Sequence, residues 1–348
     1  MMNRPSLRRP LSIRSMPLTI KTRFVNRTSL VALSLLLLSS CARTSPKIDA
    51  KAYAKEIEQW HSERLAELKS EDGWLTLAGL FWLKEGKNKL GSDKSNDIVL
   101  TKEKIGARSA GFILKNGVVQ FEAQPSSGFT VAGKPVTQLE LKSDENGSPT
   151  VLQLGSLTFQ IIKRGEKLGV RIKDKQNPDR VNFQGTQFYP TDLKWRIDAR
   201  FVPYNPPKAV SITNVLGMES EETSPGAVKF AVDGNFYQLD AITEKGETKY
   251  FMIVADKTSG KETYPAGRYL YVDPPDAAGR MVIDFNKAYS PPCAFTKFAT
   301  CPLPPRQNRL PFAIEAGEKY SGHPKVSVLS KEQEAPFLFE IDTGGGHA

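Results

Sequence analysis

The polar side chains best suited to chemistry gather in the last third of the sequence. Four of them lie in the segment DKTSGKETYPAGRY, a turn between two β-like runs: Asp256, Thr258, Tyr264 and Arg268. A carboxylate, hydroxyl groups and a guanidinium held in one turn can bind a polar ligand. Asp and Thr in turns also bond to nearby backbone groups, which would make the segment purely structural. Both interpretations stay open.

A second group lies in the segment DFNKAY, near the end of a predicted strand. Asp284 and Asn286 are two residues apart, so they share one face of a strand. A carboxylate and an amide on one face can orient a water, a sugar hydroxyl or a cation. They can equally satisfy buried backbone groups and tie down a loop.

A third group follows a stiff, proline-rich segment, PLPPRQNRLP, which carries Arg306 and Asn308. An arginine from this segment and Arg268 could form an anion-binding pair, or each could pair with Glu315 or Glu318. We therefore predict that the C-terminal half binds a small ligand or an envelope component. The candidate ligand-binding residues are Asp256, Thr258, Tyr264, Arg268, Asp284, Asn286, Arg306, Asn308 and Glu318.

Standard catalytic arrangements are absent from the sequence. It has no Gly-x-Ser-x-Gly elbow, P-loop or His-Glu-x-x-His, and only His61 and His323 are plausible bases. We expect no metal and no cofactor, and whether the protein is an enzyme stays open. The alternative function is a carboxylate-dependent hydrolase acting on envelope glycan or lipid. Its candidate acids are Asp256, Asp284, Glu315 and Glu318.

The first 40 residues predict export. They hold seven basic residues and no acidic ones, and an apolar run at residues 30–38 is too short to span a bilayer. The run ends in Leu38-Ser39-Ser40-Cys41, which resembles a bacterial lipobox; the alternative is a plain signal peptide with an incidental cysteine. The lipobox resemblance implies a lipid on Cys41. Ala42 after it implies an outer-membrane protein that faces the periplasm.

Export changes the meaning of the net charge. The whole chain carries 48 basic and 38 acidic residues, a net charge of +10 that would suit a nucleic-acid partner. Without the seven basic residues of the predicted signal peptide, 41 basic residues remain and the net charge falls to +3. We therefore expect no nucleic-acid partner, and a membrane partner only through the lipid.

Two cysteines remain in the C-terminal half of the exported chain. In an oxidising compartment Cys293 and Cys301 can form a disulfide. The alternative is a metal site shared with His323, but that spacing matches no zinc pattern. We predict the disulfide.

The elements around these residues are mostly β-like. Apolar residues near a 3.6-residue period predict one helix over residues 49–70, with Tyr53, Ile57, Trp60, Leu65 and Leu68 on its apolar stripe. From residue 86 onward, short β-like runs alternate with turn residues. The clearest case is FILKNGVVQFEA, whose Asn-Gly predicts a hairpin turn.

Residues 86–165 resemble a forkhead-associated (FHA) β-sandwich. The resemblance rests on GKNKLGSDKSNDIVL, on VAGKPV and on the final strand pair around residues 154–162. FHA domains bind phosphothreonine through an Arg, a Ser and an Asn. Here Ser92 stands at the Arg position, and the stretch ARSAG at residues 107–111 has no His. The resemblance therefore implies the scaffold and not phosphopeptide binding.

A second resemblance covers about residues 53–320. Its motifs are Trp60 with Arg64, GWLTLAGLFWLKEG, GSDKSNDI, FQG, DKTSGKETY, GRYL and DFNKAYSPPCAFTKFATCPLPPRQNRLPFAIEAGEK. Together they resemble the bacterial family called domain of unknown function 1684 (DUF1684), which implies no activity.

The sequence thus predicts a mainly β protein, an FHA-like β-sandwich followed by a second β-rich half, with one N-terminal α-helix. The predicted segments are a lipoprotein signal peptide at 1–40, a tether at 41–48, the helix at 49–70, the FHA-like sandwich at 71–165, the C-terminal β-rich half at 166–322 and a flexible tail at 323–348.

Overall fold

The structure, a computed structural model, describes residues 48–320 and residue 322. The predicted signal peptide, Cys41, the tether up to residue 47 and the tail at 323–348 lie outside the described residues. Within the described part of the chain, no helix combines the length and the apolar character needed to cross a membrane.

The predicted N-terminal helix is confirmed as α1 (Ala50–Lys69). It begins after Asp49, whose side chain accepts a hydrogen bond from the backbone N–H of Lys51 at 2.8 Å, as N-cap residues do. One stripe of the helix is buried, and it contains Tyr53, Ile57, Arg64 and Leu68. The stripe therefore includes an arginine where an all-apolar pattern was expected, and this arginine needs polar partners inside the protein.

Most of the following strands form a β-sandwich. Its strands are β1 (Leu77–Trp82), β2 (Gly86–Gly91), β3 (Ile98–Val99), β4 (Ala110–Lys115), β5 (Val118–Ala123), β6 (Thr130–Val131), β7 (Lys134–Pro135), β8 (Gln138–Leu141), β9 (Leu152–Leu154), β10 (Leu157–Arg164) and β11 (Lys167–Asp174). One sheet has the order β1-β11-β10-β9-β6-β7, and the other has the order β3-β2-β4-β5-β8.

The two sheets bury a core of alternating apolar side chains between them. Phe112, Phe121, Phe129 and Phe159 are each at most 1% exposed and contact one another through their rings. The predicted hairpin is confirmed, because β4 and β5 pair antiparallel across the Asn-Gly turn. Both turn residues have positive φ, as a type I′ turn requires.

The sandwich extends further along the chain than the predicted boundary at residue 165. Strand β11 lies between β1 and β10 in the same sheet and pairs with both. Its residues Val170 and Ile172 are fully buried in the sandwich core. The sandwich therefore ends at Asp174, and a boundary at 165 would separate the two strands of one hairpin.

A short helix α2 (Pro178–Val181) leads into the second β-rich half. The strands of this half are β12 (Arg196–Thr213), β13 (Glu219–Val232), β14 (Asn235–Asp240), β15 (Ile242–Thr243), β16 (Tyr250–Val254), β17 (Arg268–Val272) and β18 (Arg280–Asp284). They form a sheet of order β14-β13-β12-β18 and a sheet of order β15-β16-β17.

These two sheets share a buried core that contains Val228, Leu239, Met252, Leu270 and Ile283. A further core on the three-stranded sheet takes in Leu68 of α1, Leu75 and the loop that carries the two cysteines. The fold is mainly β, as predicted, with α1 and the cysteine loop packed against the second half.

Candidate functional site

The structure places Arg268 and Asp256 in a buried ion pair. The Arg268 Nη2 donates to Asp256 Oδ2 at 2.9 Å, and the guanidinium also donates to the carbonyl oxygens of Ile314 and Ala316. The other carboxylate oxygen, Asp256 Oδ1, accepts from the Thr258 hydroxyl at 2.6 Å and from two backbone N–H groups. Arg268 is only 2% exposed.

The polar groups of this network form their hydrogen bonds with other protein groups. Thr258 also bonds to the hydroxyl of Thr263 at 2.9 Å, so the turn is tied to itself and to the segment before Glu318. A guanidinium and a carboxylate that are paired and buried in this way hold loops in place. Asp256, Thr258 and Arg268 are buried, so they present no open surface to a ligand. Their contacts fit the other interpretation of the turn, in which these residues are structural.

Asp284 and Asn286 come together in a different network, under α1. The Tyr53 hydroxyl donates to Asp284 Oδ1 at 2.8 Å, and Asn286 Nδ2 donates to the Tyr53 oxygen at 2.9 Å. Asn286 also accepts from the backbone N–H of Asp192 and is 1% exposed. These side chains fix the helix to the second half and do not line a cleft.

Asn308 belongs to a third network. It is fully buried and exchanges two hydrogen bonds with the backbone of Asp240, at 2.7 and 3.0 Å. Arg306, two residues earlier, is exposed. Arg268 is buried and its guanidinium donates to Asp256, Ile314 and Ala316, so an anion-binding pair between Arg268 and an arginine of this segment has no support.

Glu318 lies under α1, where its Oε2 is 3.5 Å from the Nε of Arg64. Both side chains are buried, and burial raises the pKa of Glu318 while the Arg64 charge opposes that rise. The arginine in the stripe of α1 thus has a carboxylate partner, a carbonyl acceptor at Ser290, and the ring of Tyr289 4.5 Å below its guanidinium.

The predicted cysteine pair is confirmed. The sulfur atoms of Cys293 and Cys301 are at disulfide distance and their Cα atoms are 6.1 Å apart, a normal span for a disulfide. Tyr264, another predicted site residue, is buried beside this loop, and its hydroxyl donates to the Cys293 carbonyl at 3.2 Å.

The four candidate acids of the hydrolase alternative are dispersed. Asp256 and Glu318 are buried in separate ion pairs, Asp284 accepts from Tyr53, and Glu315 is exposed. His61 stacks on Phe188 with ring centroids 3.7 Å apart, and burial lowers the pKa of its imidazole. His323 lies outside the described residues. Among those residues, no group of three His, Cys, Asp or Glu side chains is placed to hold a metal.

The structure instead shows a cleft where α1, the sandwich and the second half meet. Its volume is about 890 Å³, within the range of small-molecule sites. The aromatic floor of the cleft consists of Trp74, Phe251, Tyr269, Tyr271 and Tyr289. Tyr271 is 37% exposed and its ring is nearly parallel to that of Tyr289. Such rings can pack against the apolar face of a ligand.

The part of the cleft lining that the sandwich contributes is basic. Its basic wall consists of Lys163, Arg164 and Arg171, from β10 and β11. Lys163 pairs with Glu145, and Arg164 pairs with Asp144 at 2.9 Å. Arg171 is 8% exposed, and its Nε has no hydrogen-bond partner among the described residues. Burial and the neighbouring Arg164 lower the pKa of Arg171 to about 10, so the guanidinium still carries its charge at neutral pH.

A part of the cleft lining that the second half contributes is acidic. Its acidic wall consists of Glu219 and Glu222 from β13 and of Glu244 and Glu247 from the turn between β15 and β16. Glu244 Oε2 accepts from the Tyr271 hydroxyl at 2.6 Å. Burial raises the pKa of Glu244, and the charges of Glu247 and Glu222 raise it further.

None of the predicted ligand-binding residues lines this cleft, and the sequence carried only one signal for it. Strand β11 reads KLGVRIKD, where Val170 and Ile172 face the sandwich core and Arg171 faces the other way. The alternation places Arg171 outside the sandwich core, where an arginine is ordinarily expected to be exposed to solvent. The sequence gives no sign that the outer face of this strand lines a cleft.

The fold and the cleft define a mainly β protein in which a sandwich and a second β-rich half enclose a charged, aromatic site. Residues 181–319 match the family model described as "Protein of unknown function (DUF1684)". The predicted resemblance to that family is confirmed for this segment, which contributes the acidic wall and four residues of the aromatic floor. A comparison with curated proteins gives no match.

Solved structures with similarity to the chain include an uncharacterised protein from Haloarcula marismortui, determined by solution NMR. It is 28% identical, the match covers 40% of this chain and 78% of that one, and the TM-score is 0.35. A structure from an analysis of phosphothreonine-dependent FHA domain interactions is 18% identical over 28% of this chain and 96% of that one. The FHA domain of FhaA is 18% identical over 27% and 97%.

Both FHA matches have a TM-score of 0.20. FHA domains are thus among the similar structures, in keeping with the sequence resemblance. At these TM-scores the three likenesses carry no argument about function.

Proposed function

We propose that this protein binds a small ligand with an anionic group in the cleft, and does so in the bacterial cell envelope. The observation that carries the proposal is Arg171, a charged side chain that is 8% exposed and whose Nε has no hydrogen-bond partner within residues 48–320. Burial of an unpaired charge is costly, so proteins normally give such a group a partner. A carboxylate or phosphate of a ligand would supply one.

The surroundings of Arg171 suit such a ligand. The guanidinium lies over the Trp74 ring, with 5.7 Å between its central carbon and the ring centroid, which limits its movement. A fixed, planar guanidinium is well suited to a two-point contact with a carboxylate or phosphate. Lys163 and Arg164 add positive charge at the same side of the cleft, although both have acidic partners.

Replacing Arg171 with methionine tests this proposal. The protein made from the complete sequence and purified in detergent is titrated with hexanoate, benzoate and inorganic phosphate by calorimetry. We expect at least one anion to bind, and Arg171→Met to weaken that binding by about tenfold or more, because hydrogen bonds to charged groups contribute roughly 1.5–3 kcal/mol. The variant should stay folded, since Arg171 forms no ion pair with the part of the chain that the structure describes.

Arg280→Met is the matched control, because Arg280 is a surface arginine paired only with Asp276. Its anion binding should equal that of the wild type. The proposal is contradicted if none of the anions binds, or if the Arg171 variant binds them as well as the control does.

The envelope part of the proposal rests on the N-terminal sequence. The basic residues, the short apolar run and the lipobox-like LSSC support cleavage before Cys41 and attachment of a lipid to it. Ala42 supports transport to the outer membrane, where the protein would face the periplasm. We expect radiolabelled palmitate to enter the wild-type protein in bacterial cells, and Cys41→Ser to abolish the labelling.

Ser45→Ala is the control for this experiment, because it changes a nearby residue and leaves the lipobox-like motif intact. It should label as the wild type does. Undiminished labelling of the Cys41 variant would contradict the lipid anchor.

The hydrolase alternative has less support. Its candidate acids do not face one another across the cleft, as two catalytic carboxylates must. Asp256 and Glu318 are engaged in buried ion pairs, and Asp284 accepts hydrogen bonds from Tyr53 and from the Asn286 backbone. We therefore favour binding over hydrolysis.

A further inference from the structure

We infer that the ligand is a zwitterion, with its anionic group at the basic wall and a cationic group at the acidic wall. This inference rests on the proposed function, because it assumes that the cleft is the binding site. It goes further by assigning a role to the acidic wall. A purely anionic ligand would make no favourable contact with this wall and would be repelled by its carboxylates.

The acidic wall holds carboxylates without cations. Within residues 48–320, Glu219, Glu222, Glu244 and Glu247 have no ion pair with a Lys or Arg. Lys249, which also lines the cleft, is paired with Asp273 at 3.0 Å. Like charges gathered in one place repel one another, and a bound cation would relieve this repulsion.

The two walls act as separate sites. Lys163 and Arg164 of the basic wall pair with Glu145 and Asp144, neither of which lines the cleft. Among the ion pairs of residues 48–320, none joins a residue of the basic wall to a residue of the acidic wall. Each wall is left for a ligand of the opposite sign.

The aromatic floor of the cleft suits the apolar middle of such a ligand. Tyr271 is 37% exposed, and its hydroxyl donates to the Glu244 carboxylate at 2.6 Å, so the ring lies next to that carboxylate. An aromatic ring next to a carboxylate is a favourable place for an ammonium group, which gains from both. A ligand class that fits is an amino acid or short peptide with separated amino and carboxylate groups.

Three linear probes of one chain length separate the contributions. Aminohexanoate carries both charges, hexanoate carries only the anion and hexylamine carries only the cation. We expect the complete protein to bind aminohexanoate about tenfold more tightly than either single-charge probe, a difference of roughly 1.4 kcal/mol. Shorter and longer ω-amino acids should bind less well on both sides of the best length, because the walls are fixed.

Variants of the acidic wall provide the second measurement. The double change Glu222→Gln and Glu244→Gln should reduce aminohexanoate binding to the level of hexanoate, and should leave hexanoate binding equal or stronger. Glu221→Gln is the matched control, because Glu221 is an exposed neighbour on the same strand that does not line the cleft. It should bind aminohexanoate as the wild type does.

The outcomes distinguish the inference from the proposed function. If hexanoate binds through Arg171 and aminohexanoate binds no better, the zwitterion is wrong and the anion site stands. If hexylamine binds as tightly as aminohexanoate, or if the double variant keeps the preference, the inference is also overturned. If none of the three probes binds, the inference is overturned, and the proposed site falls with it when benzoate and inorganic phosphate also fail to bind.

Discussion

Replacing Arg268 with methionine is expected to lower the free energy of unfolding by about 3–5 kcal/mol, because removal of one partner leaves a buried charge unpaired. The Asp256 carboxylate would lose its cationic partner, and the carbonyl groups of Ile314 and Ala316 would lose the hydrogen bonds that Arg268 donates. Asp256 and Arg268 are 9% and 2% exposed, so water cannot replace these bonds without opening the fold.

Urea unfolding followed by tryptophan fluorescence measures this effect. Arg280→Met serves as the control, since its ion pair with Asp276 is exposed and should contribute little to stability. Asp256→Asn combined with Arg268→Met should cost less than the sum of the two single changes, because the two side chains share one interaction. A loss below about 1 kcal/mol in Arg268→Met would mean that the pair does not hold the fold.

The pattern around Arg268 explains why sequence reasoning treated it as a ligand site. A turn that carries Asp, Thr and Arg looks the same whether its groups face solvent or one another. The deciding fact is that the backbone of Ile314 and Ala316 lies beside the guanidinium, and these residues are more than 40 positions away along the chain. The local structure was predictable, but the long-range partners were not.

Other features were predictable because their physical basis is local. The helical stripe, the Asn-Gly turn and the two cysteines each depend on neighbours within a few residues. The cleft depends on residues from three parts of the chain, such as Arg171, Glu244 and Tyr289. Their types are ordinary for exposed positions, so composition and spacing give no reason to place them together.

The segment before Glu318 supports a second large effect. Replacing Gly317 with alanine is expected to cost about 3 kcal/mol or more. Gly317 has a φ of +74°, a conformation that alanine adopts at a cost. A Cβ there would also lie 2.8 Å from the Phe285 carbonyl oxygen and closer still to that of Ala288. Both oxygens belong to backbone, which cannot rotate away as a side chain can.

Gly317 lies between residues of two hydrogen-bond networks, that of Arg64 and that of Arg268, so the substitution is expected to disturb both. Its neighbour Glu318 donates its backbone N–H to the Ala288 carbonyl at 2.8 Å, and Ala316 on the other side accepts from Arg268. A shift that relieves the clash must therefore move the carboxylate away from Arg64 or the carbonyl away from Arg268. Each of these movements weakens a buried ionic contact.

Gly155→Ala separates the clash from the backbone cost. Gly155 also has a positive φ, of +56°, but no atom of the described residues lies within 4 Å of a Cβ placed there. It should therefore cost only about 1 kcal/mol, the penalty of the left-handed conformation alone. Thermal unfolding of both variants provides the comparison. Equal losses would mean that the backbone at residues 285–288 yields, and that close packing around Gly317 does not hold this segment in place.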